Sequence, residues 1–321
     1  KIGGDIEEYQ LSNLKKIVSY VSKESVFYRN LADYDIKDLG DLSKLPFTYP
    51  DDLKREPYKL SCVSVSEVKR VFTLYTSGTT GTPKTVLFTQ ADIDQITDYM
   101  GVASKTVAEC GGLSEGYTIL QLIPDGKPAS QAKLSSRGAR KVKAVPITAS
   151  PFIDPESFIE LIKRYHPDML FGTPTRIYGL TQLSKEQHDL AKLGIRVLHL
   201  SSEYLPEAMR ERLQEIWGCE VYRYYGMTEM GFIGGVECHA HTRYHLSDLD
   251  FLLEVVDLET GKPVKEGQGE LVFTTLRREA MPLIRYKTGD LVELIPGRCS
   301  CGTSLKTIGK TIKRVGQIEK L

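Results

Sequence analysis

The chain has 321 residues, 41% of them hydrophobic, which is enough for two or three domains or subdomains around a large buried core. Its 42 Lys and Arg balance its 42 Asp and Glu, so no net field favours nucleic acid or an anionic membrane. The sequence shows no apolar run long enough to span a bilayer and no secretory pattern at its start, and its six cysteines give no disulfide framework. We therefore expect a soluble, cytoplasmic protein that keeps its thiols reduced.

The N-terminal part is predicted to begin with an amphipathic helix. From Ile6 to about Lys23, apolar residues recur at the spacing of one helix face. An irregular connector at 42–48 then leads to a helix start at 50–53, and the run 71–75 predicts a strand.

The segment directly after this strand is rich in Thr, Ser and Gly and ends in Pro83 and Lys84. Glycines favour turns and Pro83 has no N–H, so we expect a loop rather than a strand or helix. Such a loop can present backbone N–H groups, hydroxyls and one ammonium to a phosphate, although the Walker pattern is absent. A solvated linker is the alternative interpretation. The candidate phosphate-binding residues are Thr76, Ser77, Gly78, Thr79, Thr80, Gly81 and Lys84.

Strand and helix patterns alternate from residue 92 to residue 225, which predicts a parallel, doubly wound sheet. A polar stretch at 125–140 interrupts the alternation. The predicted helices cover 92–110, 152–165, a segment that ends at Leu183, and 207–217. The predicted strands cover 118–123, 143–147, 168–175 (running into a tight turn), 195–200 and 220–225.

Two of these strands end in polar segments, at the edge where open α/β sheets bind ligands. Ser201, Ser202 and Glu203 follow the strand 195–200, and an ordinary turn capped by serine is the alternative. Tyr224, Tyr225 and Gly226 would let a base stack while the backbone approaches closely, Thr228 can bond a phosphate oxygen, and Glu229 can hold Mg²⁺. The alternative there is a buried Tyr-rich strand with a surface glutamate.

From Val236 onward, short alternating strands with Gly and Pro turns predict a small antiparallel, barrel-like subdomain. We expect its strands at 251–256, 269–275, 283–286 and 291–295. The segment 285–290 ends in Thr-Gly-Asp, for which a turn between two strands is one interpretation.

Cysteines and histidines in this region could hold a structural Zn²⁺. Cys238 is followed by His239, His241 and His245, and Cys299 and Cys301 lie some fifty residues later. The C-x₂-C spacing of zinc ribbons is absent, so three buried thiols with surface histidines remain the alternative.

Several of these segments resemble motifs of one enzyme superfamily. Residues 76–84 resemble the phosphate-binding signature of adenylate-forming enzymes, which include acyl-CoA synthetases, peptide-synthetase adenylation domains and luciferases. Residues 27–29 (Phe-Tyr-Arg) and 45–48 (Leu-Pro-Phe-Thr) resemble the N-terminal region of phenylacetate–CoA-ligase-like proteins.

Later motifs resemble the same superfamily in the same order. Residues 201–203 are similar to its adenine-facing Gly-Ala-Glu turn, with serine in place of both small residues. Residues 225–229 match its Tyr-Gly-x-Thr-Glu core, and 285–290 resemble Tyr-Arg-Thr-Gly-Asp, with Lys287 in place of arginine. Residues 308–321 resemble a compressed hinge, with Lys310 in the arginine position.

The resemblance implies a role for each matching residue. Lys84 and the preceding loop would hold the β- and γ-phosphates, Thr228 the α-phosphate and Glu229 the Mg²⁺. Tyr225 would stack on adenine beside Ser202 and Glu203, and Asp290 would accept both ribose hydroxyls. The acid pocket would draw on 172–175 and the region near 99–103. For zinc, the resemblance selects Cys238, His245, Cys299 and Cys301, with His241 and His239 as substitutes.

The resemblance also implies the fold: two doubly wound, mostly parallel sheet subdomains plus a small antiparallel β-barrel-like subdomain. We expect nucleotide- and acid-binding α/β subdomains at 1–235, the barrel-like subdomain with the zinc site at 236–305, and a hinge remnant at 306–321. The small C-terminal domain of the family would then be absent.

The implied activity is the ATP-dependent conversion of an aryl or arylacetic acid into acyl-AMP, followed by transfer of the acyl group to CoA. The implied partners are thus a carboxylic acid, ATP and CoA, without nucleic acid or membrane, and a homodimer is left open. Two alternatives remain: transfer from acyl-AMP to a protein or another small molecule, and a non-catalytic remnant that binds nucleotide.

Overall fold

The computed structural model describes residues 6–74, 83–126, 130–310 and 313–315. The chain divides into two compact units, one made of Lys1–Ile93 with His245–Leu321 and the other of Asp94–Tyr244. None of the described helices is long and apolar enough to cross a membrane.

The N-terminal part of the first unit begins with the predicted amphipathic helix, α1 (Ile6–Glu24). Leu14, Ile17, Val18 and Val21 form its buried stripe, which confirms the helical spacing read from the sequence. A short helix, α2 (Asp52–Arg55), precedes an antiparallel ribbon of β1 (Arg70–Leu74) and β2 (Lys84–Phe88). Residues 75–82, the predicted phosphate loop between these strands, lie outside the described residues.

The second unit contains a parallel sheet, as the alternating patterns predict. The parallel strands are β3 (Thr118–Leu122), β4 (Val145–Ala149), β5 (Met169–Gly172), β6 (Val197–Leu200) and β7 (Glu220–Tyr225). They pair in the order β4-β3-β5-β6-β7, and β8 (Gly235–Glu237) pairs with β7 in the antiparallel sense. The helices are α3 (Gln90–Cys110), α4 (Gln131–Lys141), α5 (Pro155–Tyr165), α6 (Pro174–Ser184) and α7 (Glu207–Trp217).

One face of this sheet packs an apolar core against α5, α6 and α7. The strands contribute residues such as Leu170, Leu198 and Val221, and the rings of Phe158 and Trp217 meet edge to face at 6.3 Å. Local signals fix the helix ends. Asp154 accepts a hydrogen bond from Ser157 N at 2.9 Å to start α5, and Gly218, at φ +62°, ends α7.

Two predictions for the second unit need correction. The polar stretch 125–140 contains α4, because Ser130 caps the helix by accepting from Lys133 N and the helix buries Leu134 and Ala139. The strand expected at 143–147 lies two residues later, since Val145 is the first residue in register with β3.

The C-terminal part of the first unit is antiparallel, as predicted. The strands of this part are β9 (Arg243–Leu246), β10 (Phe251–Val256), β11 (Gly267–Thr275), β12 (Tyr286–Leu294), β13 (Thr307–Gly309) and β14 (Lys313–Arg314). The strands β10, β11, β12 and β13 pair in that order, and β14 also pairs with β12. The α/β class predicted from the sequence is thus confirmed.

The strand predicted at 283–286 is wrong, because β12 begins only at Tyr286. The backbone N–H groups of this segment bond to side chains instead: Leu283 N to Thr275 Oγ1 at 3.0 Å and Ile284 N to Tyr28 OH at 3.2 Å. Arg285 then adopts φ +47°, which is incompatible with a strand.

The two N-terminal motifs have a structural role within the first unit. Tyr28 and Thr48 are buried and hydrogen-bonded to each other at 2.7 Å, and Thr48 Oγ1 donates to Ile284 O at 2.6 Å. The Arg285 guanidinium donates to Leu45 O at 2.7 Å and pairs with the Glu254 carboxylate. The motifs therefore join the start of the chain to the segment that leads into β12.

Candidate active site

The structure brings together, at one sheet edge, two of the segments predicted from the sequence. β6 and β7 are parallel neighbours, with Leu200 opposite Arg223, so both strands end at the same edge of the sheet. Residues 201–203 leave the first strand there, and residues 226–229 leave the second. This edge is where open parallel sheets bind ligands.

The serines after β6 are part of a hydrogen-bonded group. Ser201 is buried, its hydroxyl lies 3.3 Å from that of Ser202, and Ser202 adopts φ +70°. Gln131 Nε2 donates to Tyr224 OH at 3.2 Å, and burial raises the pKa of this tyrosine while its bonds to Ser201 and Gln131 oppose the shift. Tyr224 is therefore held inside the unit as a neutral ring.

Glu203 ties this turn to the start of α6. Its carboxylate accepts from Thr175 N at 3.0 Å and from Thr175 Oγ1 at 2.6 Å. Both residues are exposed, so their bonds leave the rim of the site polar and open to solvent. The contact also places 172–175, one part of the predicted acid pocket, beside the predicted adenine turn.

Close backbone packing explains the glycine after β7. A Cβ on Gly226 would lie 2.1 Å from Phe232 O and 2.7 Å from Ile233 Cα, so no larger residue fits there. Thr228 and Glu229 follow on a short 3₁₀ turn, where Glu229 is only 1% exposed. The alternative of a surface glutamate is therefore wrong, because the Glu229 carboxylate is buried after β7.

Asp290 lies in the first unit on β12, where it is buried. The alternative of a Thr-Gly-Asp turn between two strands is wrong, because all three residues belong to this strand. They sit where its register with β11 shifts between Glu270 and Val272. Thr288 Oγ1 donates to Leu271 O at 2.7 Å, and Gly289 N donates to Glu270 Oε1 at 2.9 Å. This irregularity re-aims the strand beside Asp290.

Arg314 is a neighbour of Asp290 that the motifs did not reveal. Its Nη1 atom lies 3.0 Å from Asp290 Oδ1 and donates to Thr288 O at 3.1 Å. Lys84, the other predicted site residue described in this unit, begins β2 opposite Leu74.

The first unit holds three of the predicted metal ligands, His245, Cys299 and Cys301. Their ligand atoms lie within 4.8 Å of one another, and Cys301 Sγ lies 3.7 Å from His245 Nε2. Ligands about 2.0–2.3 Å from a tetrahedral Zn²⁺ are roughly 3.3–3.8 Å apart, so these three side chains fit this ion after small adjustments. Cys238, the fourth predicted ligand, belongs to the second unit, where it is buried.

The two substitute histidines lie elsewhere. His239 is exposed. His241 stacks on Tyr222, with 4.6 Å between ring centroids, and contacts the Glu220 carboxylate at 3.1 Å.

Comparison with known proteins identifies similar chains. Residues 26–276 match the family model described as AMP-binding enzyme. The chain is 33% identical to a phenylacetate-coenzyme A ligase of Thermus thermophilus over 319 residues, which cover 95% of this chain and 69% of the relative. It is 30% identical to the Escherichia coli protein of the same name, over 91% of this chain and 68% of the relative.

Solved structures show the same fold. A crystal structure of 2-hydroxyisobutyryl-CoA ligase with 2-HIB-AMP and CoA matches with a TM-score of 0.83 at 21% identity, covering 96% of this chain and 74% of the other. A long-chain-fatty-acid-CoA ligase from Archaeoglobus fulgidus matches with a TM-score of 0.55 at 18% identity, covering 77% and 52%.

Proposed function

Because this chain belongs to the AMP-binding enzyme family, whose members include AMP-forming acid–CoA ligases, we propose that it activates a carboxylic acid with ATP and transfers the acyl group to CoA. The acid's carboxylate attacks the α-phosphorus of ATP and expels pyrophosphate. The thiol of CoA then attacks the acyl carbon and expels AMP. The phenylacetate-CoA ligases among its relatives make an aryl or arylacetic acid the first class to test.

The observation that carries this proposal is the buried Glu229 next to Thr228 at the carboxyl edge of β6 and β7. We assign Thr228 to the α-phosphate, Glu229 to Mg²⁺ and Tyr225 to the adenine ring. Magnesium, when bound, would neutralise phosphate charge as the α-phosphorus is attacked. The protein's own contribution is mainly to hold the reacting groups in position.

The remaining assignments follow the same family pattern. Ser202 and Glu203 would flank the adenine, and Asp290 would accept both ribose hydroxyls, since one carboxylate can accept two such bonds. Residues 76–81 and Lys84 would hold the β- and γ-phosphates. Ser201, Tyr224 and Gly226 would support the adenine side from within the sheet edge.

Pyrophosphate release with ATP, Mg²⁺ and a panel of aryl, arylacetic and fatty acids tests the proposal. Glu229→Ala and Asp290→Ala should each slow the release at least tenfold, roughly 1.4 kcal/mol of transition-state stabilisation. Glu259→Ala, in an exposed loop of the first unit, should leave it unchanged. Wild-type rates in both site variants, each checked for folding by its melting curve, would remove these assignments.

The same assay separates the two alternatives. CoA-dependent AMP release supports the ligase. Acyl-AMP formation without a response to CoA would favour transfer to another acceptor. Nucleotide binding without pyrophosphate release from any acid would favour a non-catalytic remnant.

We also propose that the Cys238–His245–Cys299–Cys301 cluster holds a structural Zn²⁺. Four protein ligands leave no open position, so this ion would stabilise the fold rather than take part in the reaction. Purified protein should contain about one zinc per chain, and chelation should lower its melting temperature. Cys299→Ser should abolish the zinc content, whereas Cys110→Ser, outside the cluster, should retain it. Zinc-free protein with an unchanged melting curve in chelator would contradict the assignment.

A further inference from the structure

The two faces of the parallel sheet in the second unit differ in chemistry. The strand residues on the face packed by α5, α6 and α7 are apolar, as with Leu198 and Leu200 of β6. The alternate residues on the other face include buried Gln121, His199 and Tyr224. A purely structural core has no need of such polar groups, and each must find a partner.

Gln121 and Tyr224 have partners inside the unit. Gln121 Nε2 donates to Ser135 Oγ at 2.9 Å, and Ser136 Oγ donates to Gln121 Oε1 at 3.0 Å. Gln131 Nε2 donates to Tyr224 OH.

His199 differs from these two residues. It is 3% exposed, and its Nε2 atom has no hydrogen-bond partner among the described residues. Phe171 and Tyr224 enclose its ring, each with a centroid separation of 5.3 Å. A buried ring nitrogen without a partner is destabilising, which points to a group that comes from outside the chain.

A small cavity opens beside this ring. Its volume is about 20 Å³, and its lining includes Met100, Ser104 and Ser135 together with Phe171, His199 and Tyr224. A space of this size admits one water-sized group. It is too small for an aromatic ring or a carboxylate with its hydration, but it fits a hydroxyl.

The position of the cavity relates it to the sheet edge. His199 precedes Ser201 by two residues, so it lies about 7 Å below the edge at the usual strand rise of about 3.3 Å per residue. A ligand whose carboxylate reacts at the edge, beside Thr228, would therefore bring its far end towards His199.

We propose that His199 forms the polar end of the acid pocket and selects carboxylic acids with a hydroxyl group at the end far from the carboxylate. This inference rests on the proposed function, because it takes the sheet edge as the place where the acid reacts. A neutral imidazole has one hydrogen-bond donor and one acceptor. A hydroxyl can bond to either, so this hydrogen bond can form with either tautomer of His199. A second carboxylate would find no compensating charge there.

The test compares acids of nearly equal size. Pyrophosphate release is measured with para-hydroxyphenylacetate against para-methylphenylacetate, and with ω-hydroxyhexanoate against heptanoate. For the pair that the enzyme accepts, kcat/KM should favour the hydroxy acid at least tenfold, because the site is built to bond the hydroxyl. The preference should fall to about one in His199→Leu, persist in part in His199→Gln, and remain in His188→Leu, a histidine outside the cavity.

Release without a hydroxy preference, or a preference that survives His199→Leu, would overturn this inference and leave the proposed function intact. Release from no acid would overturn the proposed function. Melting temperature then decides the inference, since it needs no catalysis: a rise with the hydroxy acid that is lost in His199→Leu and kept in part in His199→Gln supports the pocket. Equal responses to both acids overturn it.

Discussion

The pKa of His199 is controlled by its surroundings rather than by a bonding partner. Burial lowers this pKa from 6.5 to about 4, and the Glu237 carboxylate opposes the shift. Between these two values the unfolded chain binds a proton that the folded chain does not. The free energy of unfolding therefore rises with pH across this window and falls as the solution is acidified.

We expect His199 to make the protein acid-sensitive between pH 6.5 and 4. The lowered pKa corresponds to about 3 kcal/mol of unfolding free energy lost over this window. Urea unfolding at pH 7 and pH 4 measures the loss, which should be smaller by that amount in His199→Gln. His188→Gln is the matched control and should lose stability as the wild type does. If the wild type and His199→Gln lose the same free energy of unfolding between pH 7 and pH 4, the His199 ring is charged in the folded state.

At the level of single residues, the sequence predicted the residues at the edge of the sheet but not the buried polar residue His199 below that edge. Thr228 and Glu229 could be selected because a contiguous motif carries them. His199 left only a weak signal, a single polar residue inside the apolar run Val197–Leu200. Arg314 left none, since its contact with Asp290 depends on the pairing of β14 with β12.

Among the helices, the crossing of α3 and α4 depends on two glycines. A Cβ on Gly101 would lie 2.5 Å from Gly138 O, and one on Gly138 would lie 2.6 Å from Thr97 O. Both obstacles are backbone atoms, which cannot rotate away. The helices must therefore separate if either residue gains a methyl group.

Gly101→Ala and Gly138→Ala should each lower the free energy of unfolding by about 1–3 kcal/mol despite the better helix propensity of alanine. Gly179→Ala is the control, because this glycine lies within α6 and an added methyl group would meet no other atom within 4 Å. That variant should be neutral or gain up to about 1 kcal/mol. Chemical denaturation of all three decides the matter, and equal effects would exclude close packing as the reason for the glycines.

Elements with strong local signals could be predicted from the sequence, and those set by distant contacts could not. α7 and β7 have their predicted bounds, since Gly218 ends the helix and a run of β-branched and aromatic residues follows. The segment 283–286 has an equally apolar pattern, yet side chains from residues 28 and 275 bind its N–H groups. No local pattern contains that information.

On the scale of the whole molecule, the first unit is assembled from both ends of the chain. Residues of Lys1–Ile93 pack with residues of His245–Leu321, although more than 150 positions separate the two segments. The sequence predicted the elements of each segment but not their association. Hydrophobic periodicity reports local structure, and it contains no information about which distant segments close a loop and pack together.

Asp92 joins the two segments of the first unit through several hydrogen bonds. It is 2% exposed, and its carboxylate accepts from Thr89 N at 2.9 Å, Glu279 N at 2.7 Å and Ala280 N at 3.0 Å. Thr89 Oγ1 adds a bond to the Glu279 carboxylate at 2.9 Å. One side chain thus satisfies N–H groups from both segments of the first unit.

We expect Asp92→Ala to lower the free energy of unfolding by about 2–4 kcal/mol, because it leaves buried N–H groups without acceptors. Asp92→Asn keeps one oxygen and should lose roughly half as much. Asp98→Ala, on the same helix, removes only an exposed pair with Lys141 and should cost less than about 1 kcal/mol. Denaturant unfolding of the three variants measures how much unfolding free energy each one loses. Since exposure and long-range bonding separate Asp92 from Asp98, equal losses at both positions would mean that these bonds do not hold the two segments together.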